Sequence, residues 1–200
     1  MLPAVGIVLF ILLYVAAAIL YPGGSDADKF APGFSWKHNY WCELMNTHAQ
    51  NGQSNNGRSL ALAAMAVLII SLVSFWLLIP LLFSKDGKCL HLIRLFGASS
   101  MLVTFFLLTG RHDLVINIAG LCGCLAILAL LVNLFRHHYR FFFAAGILCL
   151  LLCGVNNYVY YSKNLLPYLP VIQKITFLVF LAWFFGLTLA LYRHLSRREF

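Results

Sequence analysis

Charge is what this sequence has least of. Only 10% of its 200 residues are Asp, Glu, Lys or Arg, and six of them are acidic, whereas an average soluble chain is about a quarter charged. With 62% hydrophobic residues and a mean hydropathy of +0.87, a soluble enzyme, a disordered tail and a secreted disulfide module are all excluded. Motifs are as scarce as charge. There is no Cys-x-x-Cys, no His-Glu-x-x-His and no His-x-x-x-His, so dithiol redox and zinc-protease signatures are missing. No histidine falls at the middle of an apolar run, which leaves haem without axial ligands. No charge falls there either, which removes the usual pointer to a proton relay or ion-coupled transporter. Apolar and polar residues do not alternate as in a membrane barrel.

What remains is a set of long apolar stretches. A bilayer core of about 30 Å takes about 20 residues of helix, and six segments meet or approach that length: 3–20, 60–83, 91–109, 114–135, 141–161 and 171–192. In lipid each must be helical to satisfy its own peptide groups. The expected fold is therefore all-α, a polytopic six-helix membrane bundle in one domain, with a single long loop over 21–59. Tyr14, Tyr21, Tyr139, Tyr158, Tyr160, Tyr161, Tyr168 and Tyr192 lie near segment ends, where interfacial aromatic belts form. Near its end the first segment offers the small residues Ala16, Ala17 and Ala18 after an apolar run, but no Lys or Arg precedes it, so it reads as an uncleaved helix rather than a signal peptide.

With six spans both termini share a side. Lys85, Lys88, Arg94, Arg136, Arg140, Arg193, Arg197 and Arg198 gather on that side in short segments, while Lys29, Lys37, Arg58, Arg111, Lys163 and Lys174 fall opposite. The bias places both termini in the cytoplasm. Most of the net charge of +8 is thus an orientation signal, and no nucleic-acid partner is needed to explain it. Arg94 and Lys174, each near a span end, are expected to snorkel to the interface.

In the long loop Trp36, Tyr40 and Leu44 recur every four residues, with Trp41 and Met45 beside them. That spacing predicts a short amphipathic helix in the outer interface, lidding the bundle. The stretch 51–57 is turn chemistry, and Ser59 is placed to cap the second span. The run Asn39-Tyr-Trp-Cys42-Glu43-Leu44 resembles a loop of small six-helix bacterial membrane proteins of unknown function and, more distantly, of DRAM-like proteins. Cys42 and Met45 stand where that pattern has Ser and Gly. The resemblance implies the same six-helix fold in a bacterial inner membrane and adds little about activity.

One group of polar residues converges on the outer side: His38, Asn39, Glu43, His48 and Arg58 from the loop and the start of the second span, Arg111, His112, Asp113 and Asn117 around the fourth, and Asn156 and Asn157 in the fifth. Asp113 and Asn117 share a helix face by their spacing. The competing reading is that Asp113 caps its helix and the amides bond between helices. His38, His48, His112 and Asp113 hold enough donors for a zinc ion, but their spacing is not diagnostic, and no metal or cofactor is assigned. The six cysteines offer no evident disulfide pair. Ala119 with Gly123, and Gly120 with Cys124, give the small-residue spacing that lets a neighbouring helix, a second copy or another membrane protein approach the fourth helix. The function expected from these residues is binding of a membrane lipid or small amphiphile at the outer mouth. An intramembrane hydrolase using metal or a Glu43–histidine pair, and a small transporter or assembly subunit, are the alternatives.

Overall fold

A computed structural model describes residues 1–83, 87–108, 112–162 and 164–197, with Lys88, Leu107, Leu108, His112 and Asp113 described by backbone only. Among the described residues every regular element is helical: α1 (Leu2–Ile19), α2 (Arg58–Leu78), α3 (Lys88–Thr104), α4 (His112–Arg136), α5 (Arg140–Ser162) and α6 (Leu169–Ser196). Short 3-10 helices cover Trp41–Met45, Ile79–Leu82, Phe105–Leu108 and Leu166–Tyr168. Five of the six α-helices, all but α3, are long and apolar enough to cross a membrane. Most of the helices are apolar around their whole circumference, as helices solvated by lipid are. The fold is that of an all-helical polytopic membrane protein.

The third expected span, 91–109, is met differently. The α-helix begins at Lys88, ends at Thr104 and continues as the 3-10 helix Phe105–Leu108, while Thr109 lies outside the described residues. Seventeen α-helical residues rise about 25 Å, short of a 30 Å core. The 3-10 extension adds about 8 Å.

The chain divides into two compact units. The first comprises Met1–Ile7, Leu68–Leu150 and Leu181–Phe200. Its α3 packs along α4, where Ser100 Oγ donates to the Ala119 carbonyl at 2.8 Å and a side-chain carbon at Gly123 would lie 3.1 Å from that hydroxyl. The Ala119–Gly123 face of α4 is therefore filled by α3, while a Cβ at Gly120 would meet nothing. Gly97 of α3 lies against the buried Trp76 indole, 2.2 Å from where a Cβ would stand, so only glycine permits this approach. Trp76 in turn meets Phe75 and Phe184 edge-on. Trp183 Nε1 donates to the Phe142 carbonyl at 2.9 Å. Asn133 donates to the Ala129 carbonyl and the Cys89 sulfur. The α4 terminus closes through Tyr139 N–H to Leu134 O, with His138 at φ 61°.

The second unit comprises Val8–Val67 and Leu151–Phe180, and so holds the entire long loop. The Trp36–Leu44 segment is not one helix. A turn over 36–38 precedes Tyr40, which is extended at ψ 152°, and a five-residue 3-10 helix follows. The physical reason is competition from Asn39, whose side chain takes the Ser35 N–H and holds the chain in a turn. Ser59 does not cap α2 but lies inside it. Asn55 does the capping work, accepting the Gly57 N–H at 3.0 Å. Gly57 lets α2 start where it does, because a Cβ there would lie 2.2 Å from the Ala17 carbonyl oxygen of α1.

Candidate functional site

The polar centre of the second unit is built around Asn39, which is fully buried. Its Oδ1 accepts the Ser35 N–H at 2.7 Å, and its Nδ2 donates to the Gly24 carbonyl at 2.8 Å and to Glu43 Oε2 at 2.5 Å. Its own carbonyl accepts from Lys174 Nζ of α6 at 2.5 Å, and Lys174 also donates to Pro170 O at 3.0 Å. The loop is thereby fastened to α6 through one amide residue. Lys174 is the residue that sequence reasoning misplaced. It does not snorkel outward but is 7% exposed, because two backbone carbonyls and the Phe34 ring, 5.6 Å from the amine, offer it partners inward.

Glu43 is buried as well, at 4% exposed. One carboxylate oxygen takes the Asn39 amide, while Oε1 has no hydrogen-bond partner among the described residues. Two further buried polar atoms of this unit share that condition, Trp41 Nε1 and Gln173 Oε1. Trp41 itself belongs to an aromatic wall. Trp41 meets Tyr14, Trp36 and Phe177 edge-on at 5.2, 6.4 and 5.3 Å between centroids, and the Tyr14 hydroxyl donates to the Trp41 carbonyl at 2.9 Å. Asn55 holds the far end of the 3-10 helix through the Leu44 and Asn46 carbonyls, and Arg58 Nε donates to Met45 O at 3.2 Å.

Burial shifts the titrating groups of this loop. The Cys42 thiol is pushed up, first by burial and then by the Glu43 charge beside it. Burial likewise raises the Tyr21 and Tyr40 hydroxyls. All three favour the neutral form, as expected where water is thin.

Of the residues expected at a site, Asn39 and Glu43 are brought together, and Arg58 is committed to the same loop. His38 is half-buried and His48 exposed, the latter in a β-bridge with Ser54. Asn156 donates to Leu152 O and to Thr176 Oγ1 of α6, an interhelical bond, and Asn157 donates to Cys153 O. Asn117 belongs to the first unit, exposed on α4. Arg111 lies outside the described residues, as do the side chains of His112 and Asp113. Among the described residues no group of three or more His, Cys, Asp and Glu side chains is placed to hold a metal ion. Lys174, Ser35 and Asn55 were not foreseen. The legible signals were a lysine inside an otherwise apolar helix start and an Asn-Asn-Gly turn before α2.

Comparison with known proteins returns no matching family model, no similar curated protein and no similar solved structure.

Proposed function

We propose that this chain is a polytopic protein of a bacterial inner membrane, with cytoplasmic termini, that binds the polar head of a lipid or small amphiphile over the Asn39–Glu43 loop. The observation that carries this reading is the unpartnered Glu43 Oε1, a carboxylate oxygen buried beside the Lys174 network. A buried acceptor without a donor costs about 1–3 kcal/mol and calls for an explanation in an otherwise well-paired network. A headgroup hydroxyl or ammonium supplies the donor that Oε1 lacks, and a headgroup oxygen accepts from Trp41 Nε1. The ring wall of Tyr14, Trp36, Trp41 and Phe177 suits the apolar part. Asn39 and Glu43 are also the polar residues on which the sequence resemblance rests, which supports treating them as the centre of the site.

The test is quantitative lipid analysis of the full chain purified in mild detergent, comparing wild type with Glu43→Gln. The variant keeps an oxygen for Asn39 but loses the charge. Loss of a charge-assisted bond of about 1.5 kcal/mol or more lowers retention of donor-bearing lipids about tenfold. Unchanged retention in a variant with an unchanged melting temperature overturns the reading.

A further inference from the structure

The first unit carries a second feature, an apolar groove with a charge at one end. An open groove of about 550 Å³ runs along α3, walled by Leu77 of α2 and floored by Arg94, Leu95, Ala98, Ser99 and Leu102, with His91 at its head. Its volume falls within the ordinary range of ligand pockets. From His91 to Leu102 the groove follows α3 for about 16 Å, and the small side chains of Ala98 and Ser99 between Leu95 and Leu102 make it concave. The Leu77, Leu95 and Leu102 side chains are 48%, 62% and 53% exposed. Leucines open to lipid are ordinary in a membrane helix. A charge fixed at one end of the groove they line is not.

Arg94 does not simply extend towards the end of its helix. Its Nε donates to the Leu77 carbonyl at 3.3 Å, and the local sequence explains why that carbonyl is open to it. The chain switches to 3-10 spacing at Ile79, and the residue three beyond Leu77 is Pro80, which has no N–H to give. The guanidinium is thus tethered to the groove wall through Nε. The one ion pair among the described residues is Lys29–Asp26, so Arg94 has no carboxylate partner there. A tethered guanidinium with no carboxylate partner among the described residues matches a phosphate in fork geometry, and an apolar channel running away from it matches an acyl chain.

We infer that this groove is a site for an anionic phospholipid, with the phosphate at Arg94 and one acyl chain along Leu95, Ala98, Ser99 and Leu102. It is distinct in residues and in chemistry from the loop site, whose unpartnered group is a carboxylate.

Native mass spectrometry of the full chain in detergent, titrated separately with phosphatidylglycerol and phosphatidylcholine, tests it. Wild type is expected to take phosphatidylglycerol about tenfold more tightly than phosphatidylcholine. Arg94→Gln is expected to abolish that preference, and Ala98→Trp, which fills the groove and leaves the guanidinium, to weaken phosphatidylglycerol binding severalfold. Because the glycerol hydroxyls of phosphatidylglycerol would also serve Glu43 Oε1, Arg94→Gln and Ala98→Trp are compared in a Glu43→Gln background, where the remaining preference belongs to the groove. Equal binding of the two lipids in that background overturns the inference. So does a preference that survives there in a folded Arg94→Gln protein. Should Arg94→Gln fail to fold, Ala98→Trp decides, and unchanged phosphatidylglycerol binding by that variant overturns the site.

Discussion

Lys174 and Asn39 lie 135 residues apart and are joined by a single bond of 2.5 Å from Nζ to the Asn39 carbonyl. The bond links the start of α6 to the middle of the long loop. Because Asn39 also holds Gly24 and Glu43 through its side chain, the one residue gathers three parts of the loop and passes them to a helix. A chain segment of nearly forty residues with little regular structure is thereby ordered by polar contacts, together with the buried Leu44 and the ring contacts of Tyr21, Phe34, Trp36 and Trp41.

Lys174→Met should show how much that fastening is worth. The substitution strands the Asn39 carbonyl, at about 1–3 kcal/mol for a buried acceptor left unmade, while the Pro170 carbonyl keeps the helical N–H of residue 174. It also removes the desolvation penalty of a buried amine, which works in the opposite direction. Because the amine bonds two carbonyls and faces the Phe34 ring, the loss of these contacts outweighs the relief. We expect a net loss of about 1–2 kcal/mol, seen as a lower melting temperature in detergent. Limited proteolysis should cut the 25–35 stretch faster. An unchanged loop cleavage rate would show that the bond is dispensable.

Asn39→Asp isolates the donor role of the amide. Asp offers no N–H to Gly24 O or Glu43 Oε2 and sets a second carboxylate against the first in a buried place. Two carboxylates that close cannot both ionise cheaply, so one must hold a proton. The variant is therefore expected to be several kcal/mol less stable than wild type at pH 7. Part of that loss should return as the pH falls towards 5, because the shared proton then comes from solution at lower cost. Melting temperatures across that range check it, and a deficit that does not change with pH would argue against a like-charge contact.

Cys42 gives a pH test of the same neighbourhood. Its thiol is raised by burial first and by the Glu43 charge second, so the thiolate is rarer at any given pH than in an open cysteine. In a chain whose other cysteines are replaced, maleimide labelling of Cys42 should be slow at pH 8 and climb only as the pH passes the ordinary thiol range. Removing the negative charge with Glu43→Gln lowers the thiol again, so labelling at a fixed pH should accelerate by a fewfold. Labelling that is indifferent to Glu43→Gln would place the carboxylate elsewhere.

The helices were legible in the sequence because lipid leaves a 20-residue apolar run one way to satisfy its backbone. Their ends were legible to within a few residues, except at α3, where the change to 3-10 spacing after Thr104 has no strong local signal. The loop was half legible. Asn39 and Glu43 stood out as polar residues in an aromatic tract, but the helical spacing of Trp36, Tyr40 and Leu44 misled about local form. Spacing records which residues are buried. It does not record that Asn39 will spend its side chain on the Ser35 N–H and break the helix. Lys174 was illegible for a related reason. A lysine near a helix end has two ways to find partners, outward to water or inward to carbonyls, and the inward partner comes from residues far away in the chain.

The turn between α4 and α5 offers a prediction that concerns stability alone. Tyr139 N–H reaches the Leu134 carbonyl, and His137 and His138 N–H reach Asn133 and Phe135. This closure puts His138 in the left-handed region at φ 61°. A side chain costs about 1–2 kcal/mol there, and the His138 side chain is exposed. Glycine removes that cost but adds freedom to the unfolded chain, which takes back about half of the gain. His138→Gly should therefore raise stability by about 0.5 kcal/mol, and His138→Val should lower it by about 1 kcal/mol or more, since β-branching disfavours the same region further. Paired melting curves of the two variants check the sign. A Val variant as stable as the Gly variant would mean that the turn does not hold His138 in this conformation.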